Sequence, residues 1–165
     1  MTSTFTNILV PTDFSAGSRL ALDYAIKLAD RLGASIHLLH VLEDPAPTAM
    51  WTQAYVDLSA IRKERRCGAR QVMNTILQQI APAHVTDEIA SGSVAHTIAS
   101  VAADRGADFI VMGTHGRTGL AHVLVGSVAE QVMRTAGCPV LTVRQGLAAA
   151  SVPAAVFPAG LPLGT

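Results

Sequence analysis

Short apolar runs alternate with longer helical patterns along this chain, and that alternation constrains its fold more than any other feature. The runs are Ile8-Leu9-Val10, Ser35-Ile36-His37-Leu38-Leu39-His40-Val41, Val85 to Ala90, Phe109-Ile110-Val111-Met112, and Pro139 to Val143. Four of them are nearly continuous in Val, Ile and Leu, as strands buried on both faces require. Val85-Thr86-Asp87-Glu88-Ile89-Ala90 alternates instead, in the manner of an edge strand. Between the runs, apolar residues recur at spacings of three and four. Leu20, Tyr24, Ala25, Leu28, Ala29 and Leu32 precede a stop at Gly33. Ala69, Val72, Met73, Ile76, Leu77 and Ile80 precede Pro82. Ser93 is placed to cap a helix that turns Ile98, Val101 and Ala102 inward and stops at Gly106. Val128, Ala129, Val132, Met133 and Ala136 form the last stripe, before Gly137. The order β-α-β-α-β-α-β-α-β predicts an α/β fold, an open five-stranded parallel sheet with right-handed crossovers and helices on both faces.

Length and composition narrow the choices. The 165 residues suit one domain, expected over 1–145, followed by an Ala/Pro/Gly-rich tail, 146–165, whose prolines oppose both helix and central strand. Only 4% of the chain is aromatic, so aliphatic side chains and alanine must build the core. Lys plus Arg equals Asp plus Glu at 12 each, which gives no bulk electrostatic ground for binding nucleic acid or a membrane surface. Arg62, Lys63, Arg65, Arg66 and Arg70 cluster on one predicted helix and read as a solvated face, or else as a docking patch for an acidic partner. Cys67 and Cys138 share no metal or redox spacing and are expected to be buried. No signal-peptide pattern or long apolar span is visible, so a cytoplasmic protein with no membrane role is expected.

Chemistry concentrates in Gly113-Thr114-His115-Gly116-Arg117-Thr118-Gly119, which continues to Val125-Gly126-Ser127. The segment runs from the end of a buried strand to the start of a helix. Ligands of open parallel sheets bind beyond the carboxyl ends of the strands, where the winding reverses. Spaced glycines admit close backbone approach, and a helix N-terminus offers amides to an anion. Ser127 and Glu130 also have the spacing of a capping box, a purely structural device. Neither the P-loop motif with its lysine nor the dinucleotide fingerprint after the first strand is present. His37 and His40 alternate with apolar neighbours and read as structural.

Gly113, Gly116, Gly126 and Ser127 meet a Gly-x2-Gly-x9-Gly-Ser pattern that resembles the ATP-binding signature of the universal stress proteins. Ile8-Leu9-Val10-Pro11-Thr12-Asp13-Phe14-Ser15, Asp108 to Gly116 and Gly137-Cys138-Pro139-Val140-Leu141 match other segments of that family, over roughly residues 5 to 144. The resemblance implies strand order 3-2-1-4-5, the Rossmann-like arrangement of the adenine nucleotide alpha-hydrolase-like folds. It implies that Pro11, Thr12 and Val41 line an adenine pocket with Asp13 beside the nucleoside. Gly113, Gly116, Gly126 and Ser127 would hold ribose and phosphates, with Met112, Arg117, Val128 and Ala129 at neighbouring positions. Asp13 has a second role open to it, shaping the turn before a helix capped by Ser15. The implied ligand is ATP with Mg2+ carried on its phosphates, and the implied assembly is a homodimer paired through Val140 to Val143. The function expected is a nucleotide-dependent regulatory module. A slow ATP hydrolase or autophosphorylating protein, and a scaffold without a working site, are the alternatives. Asp13 and His115 are the only nearby catalytic candidates, and neither has a partner at a defining spacing, so efficient turnover is not expected.

Overall fold

In the computed structural model, residues 5–43, 58–80, 84–114 and 126–144 are described. Nine elements follow one another: β1 Asn7–Pro11, α1 Ala16–Leu32, β2 Ser35–Leu42, α2 Leu58–Gln79, β3 Val85–Ser91, α3 Val94–Asp104, β4 Phe109–Gly113, α4 Ser127–Thr135 and β5 Val140–Val143. The strands form one sheet in the order β3-β2-β1-β4-β5, and every pairing is parallel. The expected topology is therefore present in full. β3, the alternating segment, lies at an edge as its pattern required.

Side-chain alternation splits the core into two layers. Ile8, Val10, Ile36, Leu38 and Val111 pack with Ala21, Leu22 and Ala25 of α1 and Met73 and Ile76 of α2. Leu9, Leu39, Ile110 and Met112 pack on the other side with Ala95, Ile98 and Ala102 of α3 and Ala129 and Val132 of α4. Leu9, Val10, Leu38, Leu39, Ile110 and Val111 are fully buried, which explains the unbroken apolar runs of the central strands.

The ends of α1 obey local chemistry, whereas Ser93 stands at the N-cap of α3 without a side-chain cap bond and Arg105, not Gly106, is its C-cap. Ser15 caps α1 by accepting from Ser18 N at 3.3 Å, and Gly33 closes it in the left-handed region, at φ 67°. Helix faces follow the expected stripes less closely. On α1 the buried residues are Gly17, Ser18, Ala21, Leu22, Ala25 and Ala29, while Leu20, Tyr24 and Leu28 only flank the core and Leu32 is exposed. Small side chains bring α1 close to the sheet, so its larger ones are pushed to the margins. On α4, Ala129 and Val132 are buried, but Val128 and Met133 are exposed.

The basic cluster is a solvated face over most of its length. Residues 59–68 of α2 are exposed, and the helix meets the core only from Ala69 onward. Arg70 pairs with Asp87 of β3, and Arg65 donates to Glu43 O at 3.5 Å. Cys138 is half-buried, and burial, assisted by Asp108, raises its thiol pKa. Cys67 is exposed on the part of α2 that precedes its contact with the core, contrary to expectation, because the helix reaches the core only from Ala69 onward. No helix among the described residues is long and apolar enough to cross a membrane. The tail after residue 144 lies outside the described residues.

Candidate nucleotide site

Between β1 and β4 the sheet reverses its winding, since β1 continues to β2 on one side and borders β4 on the other. Their carboxyl ends therefore open one crevice, the place where such folds take ligands.

The β1 end is held by an interlocked turn. Thr12 N donates to Leu39 O at 2.8 Å, so β1 keeps its pairing with β2 past its last strand residue. Thr12 is buried, and its hydroxyl donates to Ser18 Oγ at 3.2 Å and accepts from Phe14 N at 3.1 Å. Asp13, half-buried, accepts from Ser15 N through Oδ1 at 3.1 Å. That bond gives Asp13 the turn-shaping role left open from the sequence. Phe14 occupies the left-handed region at φ 65°, a conformation that costs a residue with a side chain about 1–2 kcal/mol. Pro11 is buried beneath the turn, and Val41 packs against the α3–α4 layer one strand away.

The β4 end is built differently. A Cβ on Gly113 would sit 2.9 Å from the carbonyl carbon and oxygen of Gly17, so this glycine is demanded by the close approach of α1. Met112 is buried in the α3–α4 layer. Thr114 N donates to Val143 O at 3.0 Å, and Thr114 O accepts from Gly126 N at 2.7 Å. The second bond fastens the start of α4 to the end of β4. Gly126 is the N-cap in an extended conformation, and the first helical bond runs from Glu130 N to Gly126 O at 3.0 Å. The amides of Ser127, Val128 and Ala129 precede that bond, so the helix supplies them with no acceptor and turns its positive end toward the crevice.

Ser127 is thus the first helical residue and does not cap α4. Without a serine at the N-cap, the Ser127–Glu130 pair forms no capping box, and Glu130 pairs with Arg134 at 3.0 Å instead. Gly116 and Arg117, and His115 beside them, lie outside the described residues. Pro11, Thr12, Asp13, Gly113, Gly126 and Ser127 stand at the crevice ends of their elements, with Val41 near the end of β2.

One residue whose sequence pattern reads as structural touches the turn at the crevice. His40, buried on β2, bonds Thr12 O through Nδ1 at 2.7 Å and stacks on Phe14, with ring centroids 4.2 Å apart. Its position one residue before Val41 was the available signal. His37 is structural as expected: Nδ1 lies 2.7 Å from Thr86 Oγ1, and Nε2 lies 3.4 Å from Glu88 Oε2, out of hydrogen-bond alignment. A cavity of about 370 Å³, lined by Ile26, Asp30, Ile36, Ile80, His84 and Val85 among others, lies at the opposite end of the sheet and takes no part in this crevice.

Known proteins carry the same frame. The universal stress protein family model matches residues 4–144. Universal stress protein YxiE of Bacillus subtilis is 33% identical over 147 residues, covering 85% of this chain and 99% of its own. The solved structure of a universal stress protein of Methanocaldococcus jannaschii superposes with a TM-score of 0.76 at 29% identity, covering 86% of this chain and 97% of that one. A universal stress protein solved in complex with cAMP shares the fold, with a TM-score of 0.56 at 24% identity over 86% of this chain and 98% of that one. Since the matched segment reaches from before β1 to the residue after β5 and so carries both ends of the crevice, the chain belongs to the universal stress protein family.

Proposed function

We propose that this chain binds ATP in the crevice between the ends of β1 and β4 and acts as a nucleotide-dependent regulatory module. The observation that carries the reading is the bond from Gly126 N to Thr114 O, 2.7 Å long, which seats the first-turn amides of α4 at the end of β4. Those amides and the Ser127 hydroxyl suit phosphate oxygens. Pro11, Thr12 and Val41 would receive the adenine, with Asp13 beside the nucleoside and Gly113, Gly116, Gly126 and Ser127 holding the ribose and phosphates. Met112, Arg117, Val128 and Ala129 would border the same ligand. Among the described residues no group of three or more His, Cys, Asp or Glu could hold a metal ion. Mg2+ would accordingly arrive on the phosphates and keep much of its water. The cAMP complex of another family member supports an adenine nucleotide as the ligand class. The active form would be a cytoplasmic homodimer.

Nucleotide that co-purifies with the protein, identified by mass spectrometry, followed by ATP titration calorimetry of the stripped form, tests the reading. Binding heat with micromolar affinity is expected, and the double variant Gly116→Val with Gly126→Val should weaken it by roughly tenfold or more. Unchanged affinity in that variant would place the ligand elsewhere. Absence of any binding heat in the wild type would leave a scaffold that acts through its surfaces.

A further inference from the structure

We propose that His40 is the positioning residue of the nucleotide site: its Nδ1–H holds the Thr12 carbonyl and its ring holds Phe14, fixing the turn that presents Thr12 and Asp13. The inference rests on the nucleotide reading above and adds to it the device that shapes the adenine side.

Three observations converge on this histidine. It is 4% exposed, on the strand next to β1, and its Nδ1 lies 2.7 Å from Thr12 O. A carbonyl oxygen only accepts, so Nδ1 must carry the proton, which fixes both the ring's orientation and its tautomer when neutral. The ring lies 4.2 Å from that of Phe14 at an interplanar angle of 23°. Phe14 is the one described residue other than glycine with positive φ, at 65°. Such a conformation persists only where surroundings over-determine it, and such places cluster at ligand sites. Here His40 grips both sides of Asp13: the carbonyl before it and the aromatic ring after it. Phe14 N to Thr12 Oγ1 and Ser15 N to Asp13 Oδ1 join residues of the turn to one another, and Thr12 Oγ1 to Ser18 Oγ joins the turn to α1. Together with the Thr12 N to Leu39 O bond, the His40 contacts tie the turn to the neighbouring strand. Asp13 is therefore held in place by a residue that need not touch the nucleotide.

Two substitutions separate the donor from the ring. His40→Phe keeps an aromatic face for Phe14 and removes the donor. His40→Asn places an amide N–H near the Nδ1 position and gives up the ring. ATP titration calorimetry of the stripped full-length proteins should show His40→Phe weakened roughly tenfold, about 1.4 kcal/mol, for the lost donor, and His40→Asn weakened by about threefold for the lost ring. Affinity in His40→Phe equal to wild type, or His40→Asn as weak as His40→Phe, overturns the donor role. Nitrogen-15 histidine spectra of the unliganded wild type give a readout that does not depend on how the variants fold. The His40 Nδ1 signal should be that of a protonated nitrogen, and an unprotonated Nδ1 overturns the proposal outright. A wild type that binds no adenine nucleotide sinks the site reading and this role with it. That result is distinguishable from failure of the inference alone, in which wild type binds and His40→Phe binds as tightly.

Discussion

At the scale of the residue, the crevice combines positions whose chemistry is written locally with positions whose meaning depends on what lies opposite. Gly113 is of the second kind. As part of a glycine-rich segment it suggests phosphate binding, yet its missing Cβ is already explained by Gly17 of α1, 2.9 Å away. Gly113→Ala should therefore push the first turn of α1 away from β4. A cost of about 1–3 kcal/mol is expected for such overpacking, moving the thermal midpoint by roughly 2–4 °C per kcal/mol in a chain of this length. An unmoved midpoint would show that α1 gives way freely. His37 also owes its character to its surroundings. Burial, with the charge of Arg105 second, lowers its pKa below the ordinary 6.5, while Glu88 opposes the shift. The unfolded chain then takes up this proton before the folded one does. The stabilisation is complete above pH 6.5 and is lost as pH falls through the folded pKa. Urea midpoints should drop as pH falls below 6.5, and less steeply in His37→Asn, which keeps a group for Thr86 without titrating. Equal slopes in the two proteins would refute this assignment. The exposure of Cys67 and the grip of His40 on Thr12 share one cause of illegibility, because both depend on which elements become neighbours.

At the scale of the element, the parts legible in the sequence are those decided by short-range physics. The strand runs, the cap at Ser15 and the stop at Gly33 are all present, since each depends on a few adjacent residues. Ser15→Ala removes the acceptor of Ser18 N and should cost about 1 kcal/mol, read as a lower thermal midpoint. No change would mean that the bonds from Thr12 and Asp13 define the helix start without it. Helix faces were harder to foresee. Periodicity outlines an apolar stripe, but the distance between helix and sheet decides which members of the stripe reach the core. On α1 that distance is set by Gly17, Ala21 and Ala25, so Leu32 is left exposed. On α4 the same uncertainty covered one residue of helix start, enough to move Ser127 from the cap into the first turn and dissolve the expected capping box. The glycine segment between β4 and α4 was legible as a candidate site, because both its flanks are the kind of ends that gather ligands. The bond that joins those flanks, Gly126 N to Thr114 O, spans too many residues to be foreseen from spacing.

At the scale of the whole molecule, parallel β-α-β winding follows from element order, while the strand order 3-2-1-4-5 came with the family resemblance. That order leaves two sheet edges with different characters. β3 carries Thr86, Asp87 and Glu88, and its acids are engaged by Arg70 and Arg105. Charged side chains of this kind blunt an edge against further pairing. β5 is four residues long, Val-Leu-Thr-Val, has no charge, and pairs with β4 alone among the described residues. Leu141 is 44% exposed on it, and Met133 of α4 is 42% exposed nearby in sequence. An uncharged edge bearing an exposed leucine is poorly protected against joining its counterpart in a second copy, which is the expected homodimer through Val140 to Val143. Sedimentation equilibrium of the full chain at micromolar concentration should give twice the 17.2 kDa chain mass. Leu141→Lys, which puts a charge at the edge without touching the crevice ends, should shift the mass to that of one chain and leave the ATP titration of each site in place. A single-chain mass in the wild type would remove the dimer from the proposed function. A dimer that survives Leu141→Lys would move the interface away from β5, most directly to the exposed face of α4 that carries Val128 and Met133.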